Sequence, residues 1–251
     1  QEYHILRTTL APGLLGCVAL NISRGNRDLE IFEVARTYRL GKETVTLGAA
    51  LAGRRRNSWE MASSCYTFFD AKGMIEALLA SLGIVDFSFV ASQRPFADKI
   101  ACVDIFIGSA TAGYIALLSQ AAKREEGIKT KDDIFLAELD LEEAAAARIP
   151  RRAYKPLASV PSIHRDISLI AGPGSPFARL EALVKKVAGD VVRSVALAGL
   201  YEGKEIPQGR VGLTMGVDYG VANKTLTDAE VNSLHQRVLE ALVQECGVVL
   251  R

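Results

Sequence analysis

An α+β fold in two domains is what this sequence of 251 residues predicts. Three observations carry that expectation. Over residues 1–149, strand patterns pair through short turns and single helical patterns separate them. No repeated strand–helix–strand crossover occurs, which points to an antiparallel sheet with helices on one face. A stretch at 149–156 then breaks all periodicity with two prolines and a run of cations. Beyond it, over 150–251, the patterns run strand, helix, strand, strand, helix, strand.

The elements follow from local chemistry. Thr8-Thr9 offers candidate caps just before Pro12, which a first helical turn tolerates, and Leu14, Leu15, Val18, Ala19 and Ile22 recur at helical spacing up to Gly25. Residues 29–40 alternate and are rich in β-formers; Gly41-Lys42-Glu43 turns the chain, and 44–51 pairs back. A helix is expected over 70–82, with Met74, Ala77, Leu78 and Leu82 inward and Gly83 as its stop. Short strands follow at 86–91, 101–107, 113–119 and 134–139, then an Ala/Glu-rich helix at 140–147. In the second domain 163–170 is a strand, with Ile163, Arg165, Ile167 and Leu169 on one face and His164, Asp166 and Ser168 on the other. Ser175-Pro176 is placed to cap a helix reaching 189, and strands at 191–201 and 211–219 flank a loop. Thr227-x-x-Glu230 is a capping box opening the last helix, ended by Gly247 before a strand at 248–250. The order βαββαβ is a split βαβ, ferredoxin-like layout, which hosts many functions and names none.

Composition narrows the function classes. Apolar residues at 49% and charged residues at 24% are the ordinary globular mixture. Cys17, Cys65, Cys102 and Cys246 form no C-x-x-C pair, and with three histidines they offer no metal-ligand spacing. Reduced thiols and a cytoplasmic location are the simplest reading. No apolar run approaches the roughly 20 residues that span a bilayer. Thirty cations against 29 anions argue against binding nucleic acid by bulk charge. The opening Gln1-Glu2-Tyr3, without Met or a signal pattern, reads as part of a longer polypeptide.

The motif scan finds no phosphate-binding loop, no nucleophile elbow and no zinc-protease signature. His4, His164 and His235 stand apart in sequence, and His235, between polar neighbours on a helix, reads as solvated. Arg54, Arg55 and Arg56 could hold phosphate, but a solvated loop is the better reading; Asp132, Asp133, Glu125 and Glu126 read as loop solubility, and Trp59 as docked on the next helix. The loop from Tyr201 to Arg210 is more informative. On a four-stranded sheet, exposed aromatics and cations are what single-stranded RNA bases stack upon. Tyr201 and Tyr219 are candidate platforms; Lys204, Arg210 and Lys224 are candidate phosphate contacts. Equally, both tyrosines could fill the sheet–helix core.

Several segments carry a family resemblance. Leu6 to Leu15, Asn21-x-x-Arg24-Gly25-Asn26-Arg27, Ile31 to Arg36 and Phe69-Asp70-x-Lys72-Gly73 resemble the bacterial phenylalanyl-tRNA synthetase β subunit. Tyr154 to Leu157, Pro161-x-x-x-Arg165-Asp166-Ile167-Ser168-Leu169 and Thr225 to Asn232 resemble that subunit's anticodon-binding domain. The resemblance implies a class II synthetase-like, non-catalytic module over 1–149 and a ferredoxin-like anticodon-binding domain over 150–251. It implies no catalytic residue, metal or cofactor in this chain. ATP and magnesium would serve the complete enzyme through its α subunit, in an α2β2 heterotetramer that charges tRNA(Phe), with no membrane role. Tyr201 would stack on an anticodon base, with Arg165, Lys204 and Arg210 in electrostatic support. The family's usual aspartate and serine near that tyrosine are here Gly199 and Gly212, so two implied base contacts are absent; its His-Pro-Gly-like segment is replaced around Pro95 to Lys99. A free-standing ferredoxin-like interaction or RNA-binding module is the alternative, and a small-molecule enzyme or sensor the third. The charge also divides: 17 cations against 19 anions up to residue 150, and 13 against 10 beyond it. That is a net of −2 followed by +3, an acidic packing half and a mildly basic one.

Overall fold

The computed structural model describes residues 5–55, 64–147, 160–172, 175–201, 203, 205–221 and 224–251. The chain divides into two compact units, Gln1–Ala153 and Tyr154–Arg251. The boundary expected at 149/150, like Trp59, Arg56 and His4, lies outside the described residues.

The first unit begins with helix α1, Ala11–Ser23, followed by strands β1, Leu29–Arg39, and β2, Lys42–Ala52. The hairpin turn is Leu40-Gly41, one residue pair earlier than expected, and Gly41 supplies the positive φ of +73° that so tight a reversal needs. Then come α2, Phe68–Ser81; β3, Phe87–Ala91; β4, Ala97–Ile107; β5, Ala110–Leu118; α3, Gln120–Glu125; β6, Ile134–Asp140; and α4, Leu141–Ala146. The six strands form one antiparallel sheet in the order β1-β2-β6-β5-β4-β3. This is the antiparallel sheet of an α+β fold.

Helices cover both faces of this sheet, not one. Ala50, Ala52, Ala116, Ile134 and Leu136 pack with Leu14, Leu15 and Val18 of α1 and Ala122 of α3. The alternate residues Leu51, Ile115, Phe135, Ala137 and Leu139 pack with Ala71, Ile75 and Leu79 of α2 and Ala144 of α4. Strands sandwiched in this way lose the apolar–polar alternation of a half-solvated sheet. The unbroken run from Leu47 to Ala52, matched by Ile134 to Ala137, is that signature. Helix α3 was also unforeseen: Ser119 caps it by accepting from the Ala122 N–H at 3.2 Å, and the short run holds the buried Lys123.

The start of α1 is capped from across the sheet. Its N-cap residue, Leu10, has no side-chain acceptor. Instead Glu138 Oε1 of β6 accepts from the Leu10 N–H at 2.6 Å, the Ala11 N–H at 3.0 Å and the Thr9 hydroxyl at 2.5 Å. A carboxylate there satisfies orphan donors and complements the helix dipole. Thr9 still contributes, accepting from the Ala11 N–H at 3.2 Å.

The second unit runs β7, Ile163–Ala171; α5, Phe177–Ala188; a 3-10 turn, Gly189–Val191; β8, Val192–Tyr201; β9, Val211–Tyr219; α6, Asp228–Cys246; and β10, Val249–Leu250. Its antiparallel sheet is ordered β10-β7-β9-β8, as the split βαβ layout requires. Both helices lie on one face, where Ile167, Leu169, Leu213, Met215 and Val217 meet Leu180 and Val184 of α5 and Val231, Val238 and Leu242 of α6. The capping box at Thr227 and Glu230 forms, and Gly247 closes α6. Ser175 does not cap α5; the N-cap is Pro176, and the Ser175 hydroxyl donates to the Cys246 carbonyl at 3.1 Å, tying the start of one helix to the end of the other.

Replacing Glu138 with Ala is expected to strip the Leu10 N–H and the Thr9 hydroxyl of their acceptor and to leave the Ala11 N–H with Thr9 alone. At about 1–3 kcal/mol for orphaned groups of this kind, the loss should appear as a lowered urea midpoint with an unchanged slope. The exposed Glu126→Ala change serves as control and should move the midpoint by less than about 0.5 kcal/mol.

Candidate nucleic-acid interface

Register fixes which side chains stand on the helix-free face of the second sheet. His164 pairs with Asp218, Asp166 with Gly216, Ser168 with Thr214; on the other side of β9, Ser194 pairs with Asp218, Ala196 with Gly216 and Tyr201 with Gly212. A bulge between Leu197 and Gly199 restores Gly199 and Tyr201 to this face. Two clusters result, one at each end.

The first surrounds Tyr201, which is 47% exposed. A cleft of about 320 Å³ beside it is lined by Ser168, Gly199, Gly212, Thr214 and Arg251 among others. A Cβ on Gly199 would meet nothing within 4 Å, so that glycine opens space. At Gly212 a Cβ would lie 3.1 Å from the Ile206 side chain, so any larger residue would crowd the floor. The Ser168 and Thr214 hydroxyls share a hydrogen bond of 3.2 Å. Arg251 follows β10; its N–H donates to the Ser168 carbonyl at 2.9 Å, its guanidinium lies 5.4 Å from the Tyr201 ring centroid, and its Nη2 donates to Glu205 at 2.8 Å.

The second cluster centres on His164, whose ring lies over the bare Cα of Gly216. Its Nδ1 is 2.7 Å from Asp218 and its Nε2 3.1 Å from Asp166, while the Ser194 hydroxyl donates to Asp218 at 2.5 Å. Hydrogen bonding to Asp218, then Asp166, raises the His164 pKa, and hydrogen bonds from Ser194, then His164, lower that of Asp218.

The six candidate residues divide. Tyr201 stands on the open face, and Arg210 is exposed beside the start of β9, making no ion pair with a described residue. Lys204 lies outside the described residues. Tyr219 is a correction: it points to the helix face, is 0% exposed and shares a 3.1 Å hydrogen bond with His235. A ring so enclosed has no face for a base. Burial pushes its hydroxyl up to about 12 and lowers the His235 pKa, so His235 is a half-buried neutral partner and not a solvated residue. Arg165 shares that helix side, bonded to Asp228 at 2.7 Å and Asn232 at 3.3 Å. Lys224 binds Glu230 at 2.5 Å; that contact, with hydrogen bonds from the Thr227 backbone and hydroxyl, brings Glu230 to about 2. Arg165 and Lys224 thus brace the start of α6. Sequence reasoning missed Arg251, Ser168 and Thr214, which only the strand order brings beside Tyr201.

In the first unit a polar cleft of about 320 Å³ includes Thr37, Thr46, Lys42, Arg94, Tyr114 and Glu138. Most of its charges are engaged: Arg94 with Asp104 at 2.6 Å and over the Tyr114 ring at 4.3 Å, Lys42 with Asp140 at 3.6 Å, Glu138 with α1. Arg55 pairs with Asp70 at 2.8 Å, so it is engaged with α2 and not simply solvated. Among the described residues no three His, Cys, Asp or Glu side chains converge to hold a metal, and no helix is long and apolar enough to cross a membrane.

The first unit is thus an antiparallel sheet covered on both faces, and the second a ferredoxin-like fold with one open face. Residues 1–141 match the family described as the phenylalanyl tRNA synthetase beta chain CLM domain, and residues 158–251 the ferredoxin-fold anticodon binding domain. The chain belongs to the phenylalanyl-tRNA synthetase β-chain family. Over its whole length it is 32% identical to the phenylalanine–tRNA ligase beta subunit of Symbiobacterium thermophilum and 30% identical to that of Moorella thermoacetica, spanning 29% and 32% of those proteins. A pyrrolysyl-tRNA synthetase structure from Desulfitobacterium hafniense is similar at 20% identity and a TM-score of 0.44, over 55% of this chain and 48% of that one.

The two described histidines should titrate in opposite directions about the ordinary value of 6.5. Charged His164 is favoured in the fold, so its contribution to stability is full below the unfolded imidazole pKa and is lost as pH rises through the raised folded one. Asp218 contributes fully above the ordinary carboxylate range and loses that as pH falls through its depressed value. His235 is held neutral, so the unfolded chain protonates first and stability declines as pH drops below about 6.5. An NMR titration of the ring protons is expected to place the His164 midpoint above that of His235. Asp218→Asn should lower the first and leave the second; the reverse order of midpoints would contradict the assignment.

Proposed function

We propose that this chain forms part of a phenylalanine–tRNA ligase β subunit, whose second unit binds the anticodon stem-loop of tRNA(Phe). The observation that carries this reading is the open sheet face of a domain matching the anticodon-binding family, with Tyr201 half exposed beside a cleft. Bases stack on such aromatics, and the neighbouring cations Arg251 and Arg210 suit a phosphate backbone.

The first unit serves as a non-catalytic partner of the α subunit. In its polar cleft Arg94 and Lys42 pair with carboxylates and Glu138 holds the start of α1, which supports a structural role. Phe32 at 73% and Phe69 at 76% exposure, with Val34, offer apolar surface of the kind an interface covers. On this reading phenylalanine activation, with ATP and magnesium, belongs to the α chain of an α2β2 assembly in the cytoplasm.

A fluorescence titration with tRNA(Phe) at low salt tests the proposal. Tyr201→Ala is expected to weaken binding by about 1–3 kcal/mol, the value of one stacked base, whereas Tyr219→Phe leaves affinity unchanged. No tRNA-dependent change in the unsubstituted protein would favour a free-standing interaction module. Unaltered affinity in Tyr201→Ala would remove the stacking role.

A further inference from the structure

We infer that a basic groove in the first unit, built around the buried Lys123, is a seat for the phosphate backbone of double-helical RNA. The inference takes from the proposed function that RNA is a ligand of this chain. It adds a second site, in the unit given only a structural role there.

The groove, of about 740 Å³, is lined by Arg27 from the connection between α1 and β1, Lys123 and Arg124 of α3, and Lys129 and Lys131 of the loop that follows. These cations converge in the half of the chain whose net charge is −2. Elsewhere in the unit Arg7, Arg36, Lys42, Arg55, Lys72 and Arg94 each pair with a carboxylate. Arg27, Arg124, Lys129 and Lys131 are exposed and make no ion pair with a described residue. Asp132, the carboxylate on the groove wall, accepts from the Thr130 hydroxyl at 2.9 Å and so stays within its own loop. Glu125, Glu126 and Asp133 are close in sequence but do not line the groove.

A solvated charge run would account for exposed lysines, but not for Lys123, of which 1% is exposed. Its Nζ donates to the Asp132 backbone carbonyl at 2.6 Å, and it makes no ion pair with a described residue. Burial lowers its pKa, against the pull of Asp133, Asp132 and Asp98. An ammonium group buried on a neutral acceptor is costly, and an anion entering the groove would offset that cost.

The site is held in shape without a ligand. Ile128 is buried in the core, and its N–H donates to the Lys123 carbonyl at 2.8 Å, which fixes the loop against α3. Guanidinium groups fork onto phosphate oxygens, and ammonium groups meet them as point charges. No aromatic side chain is among the described residues that line the groove, so no base can stack there. A wide groove of cations without a stacking surface suits a run of phosphates read without regard to sequence. Double-helical RNA presents that backbone while its bases stay paired.

The test uses the whole chain and a fluorescein-labelled, blunt-ended RNA duplex of about 16 base pairs, which offers Tyr201 no unstacked base. Anisotropy titrations over a range of salt give both affinity and its salt slope. The triple variant Arg124→Ala, Lys129→Ala, Lys131→Ala is expected to bind the duplex about tenfold more weakly, with the slope reduced by about three. Lys123→Met, which keeps the side-chain bulk without the charge, should reduce it by about one. Lys72→Ala, Lys185→Ala, Lys186→Ala removes the same charge from cations paired with carboxylates, and should stay within about twofold of the unsubstituted chain. Equal losses in the two triple variants, or none in the first, would overturn the inference. Displacement of the duplex by polyglutamate at equal charge would overturn it too, making the groove a surface for acidic polypeptide. If an anticodon hairpin binds through Tyr201 while the duplex does not bind, the proposed function stands and the groove site falls. If neither RNA binds, both fall.

Discussion

Whether a sheet buries one face or both decides what this chain can do with it. A β-sheet is stable in water only when at least one face is covered by apolar contacts, and each further face covered removes surface from use. In the first unit α1 and α3 close one side of the six-stranded sheet and α2 and α4 close the other. In the second unit α5 and α6 share a single side. The other side of that four-stranded sheet stays in water, and there the polar and aromatic side chains of β7, β8 and β9 are free to face a ligand.

Burial on both faces has a polar consequence in the first unit. Groups that enter a two-sided sheet must find partners inside it, since unpaired ones cost more than paired ones return. Glu138 therefore turns from β6 to the start of α1, more than 120 residues away in sequence, and joins the helix to the sheet centre. Arg94 is folded onto Asp104 and Tyr114. Such commitments stabilise the unit and tie most of the polar groups of its cleft to the fold itself.

Much of this was legible in the sequence, for identifiable reasons. Helices α1, α2, α5 and α6 declare themselves by apolar spacing, by Pro12 and by the Thr227–Glu230 box, and β7 by its alternation. Less visible was anything set by long-range pairing. The second covered face was signalled only by the missing alternation of Leu47–Ala52, a pattern that a short buried helix shares. Tyr201 and Tyr219 look alike in sequence, each closing a strand. Their fates differ because the bulge after Leu197 and the register with β9 send one to water and the other onto His235. Arg251 could not be placed beside Tyr201 at all without knowing that β10 pairs with β7, across β9 from β8.

The small charge of the second half acquires a meaning from this geometry. On the open face two of the described basic groups are held by carboxylates: His164 by Asp218 and Asp166, Arg251 by Glu205. Neutralised in pairs, they create little long-range field, and a polyanion gains little from simple approach. What remains is short-range: an aromatic face, a side-chain-free floor and a forked donor in a fixed place. A surface built this way rewards a ligand for shape and hydrogen-bond pattern more than for charge.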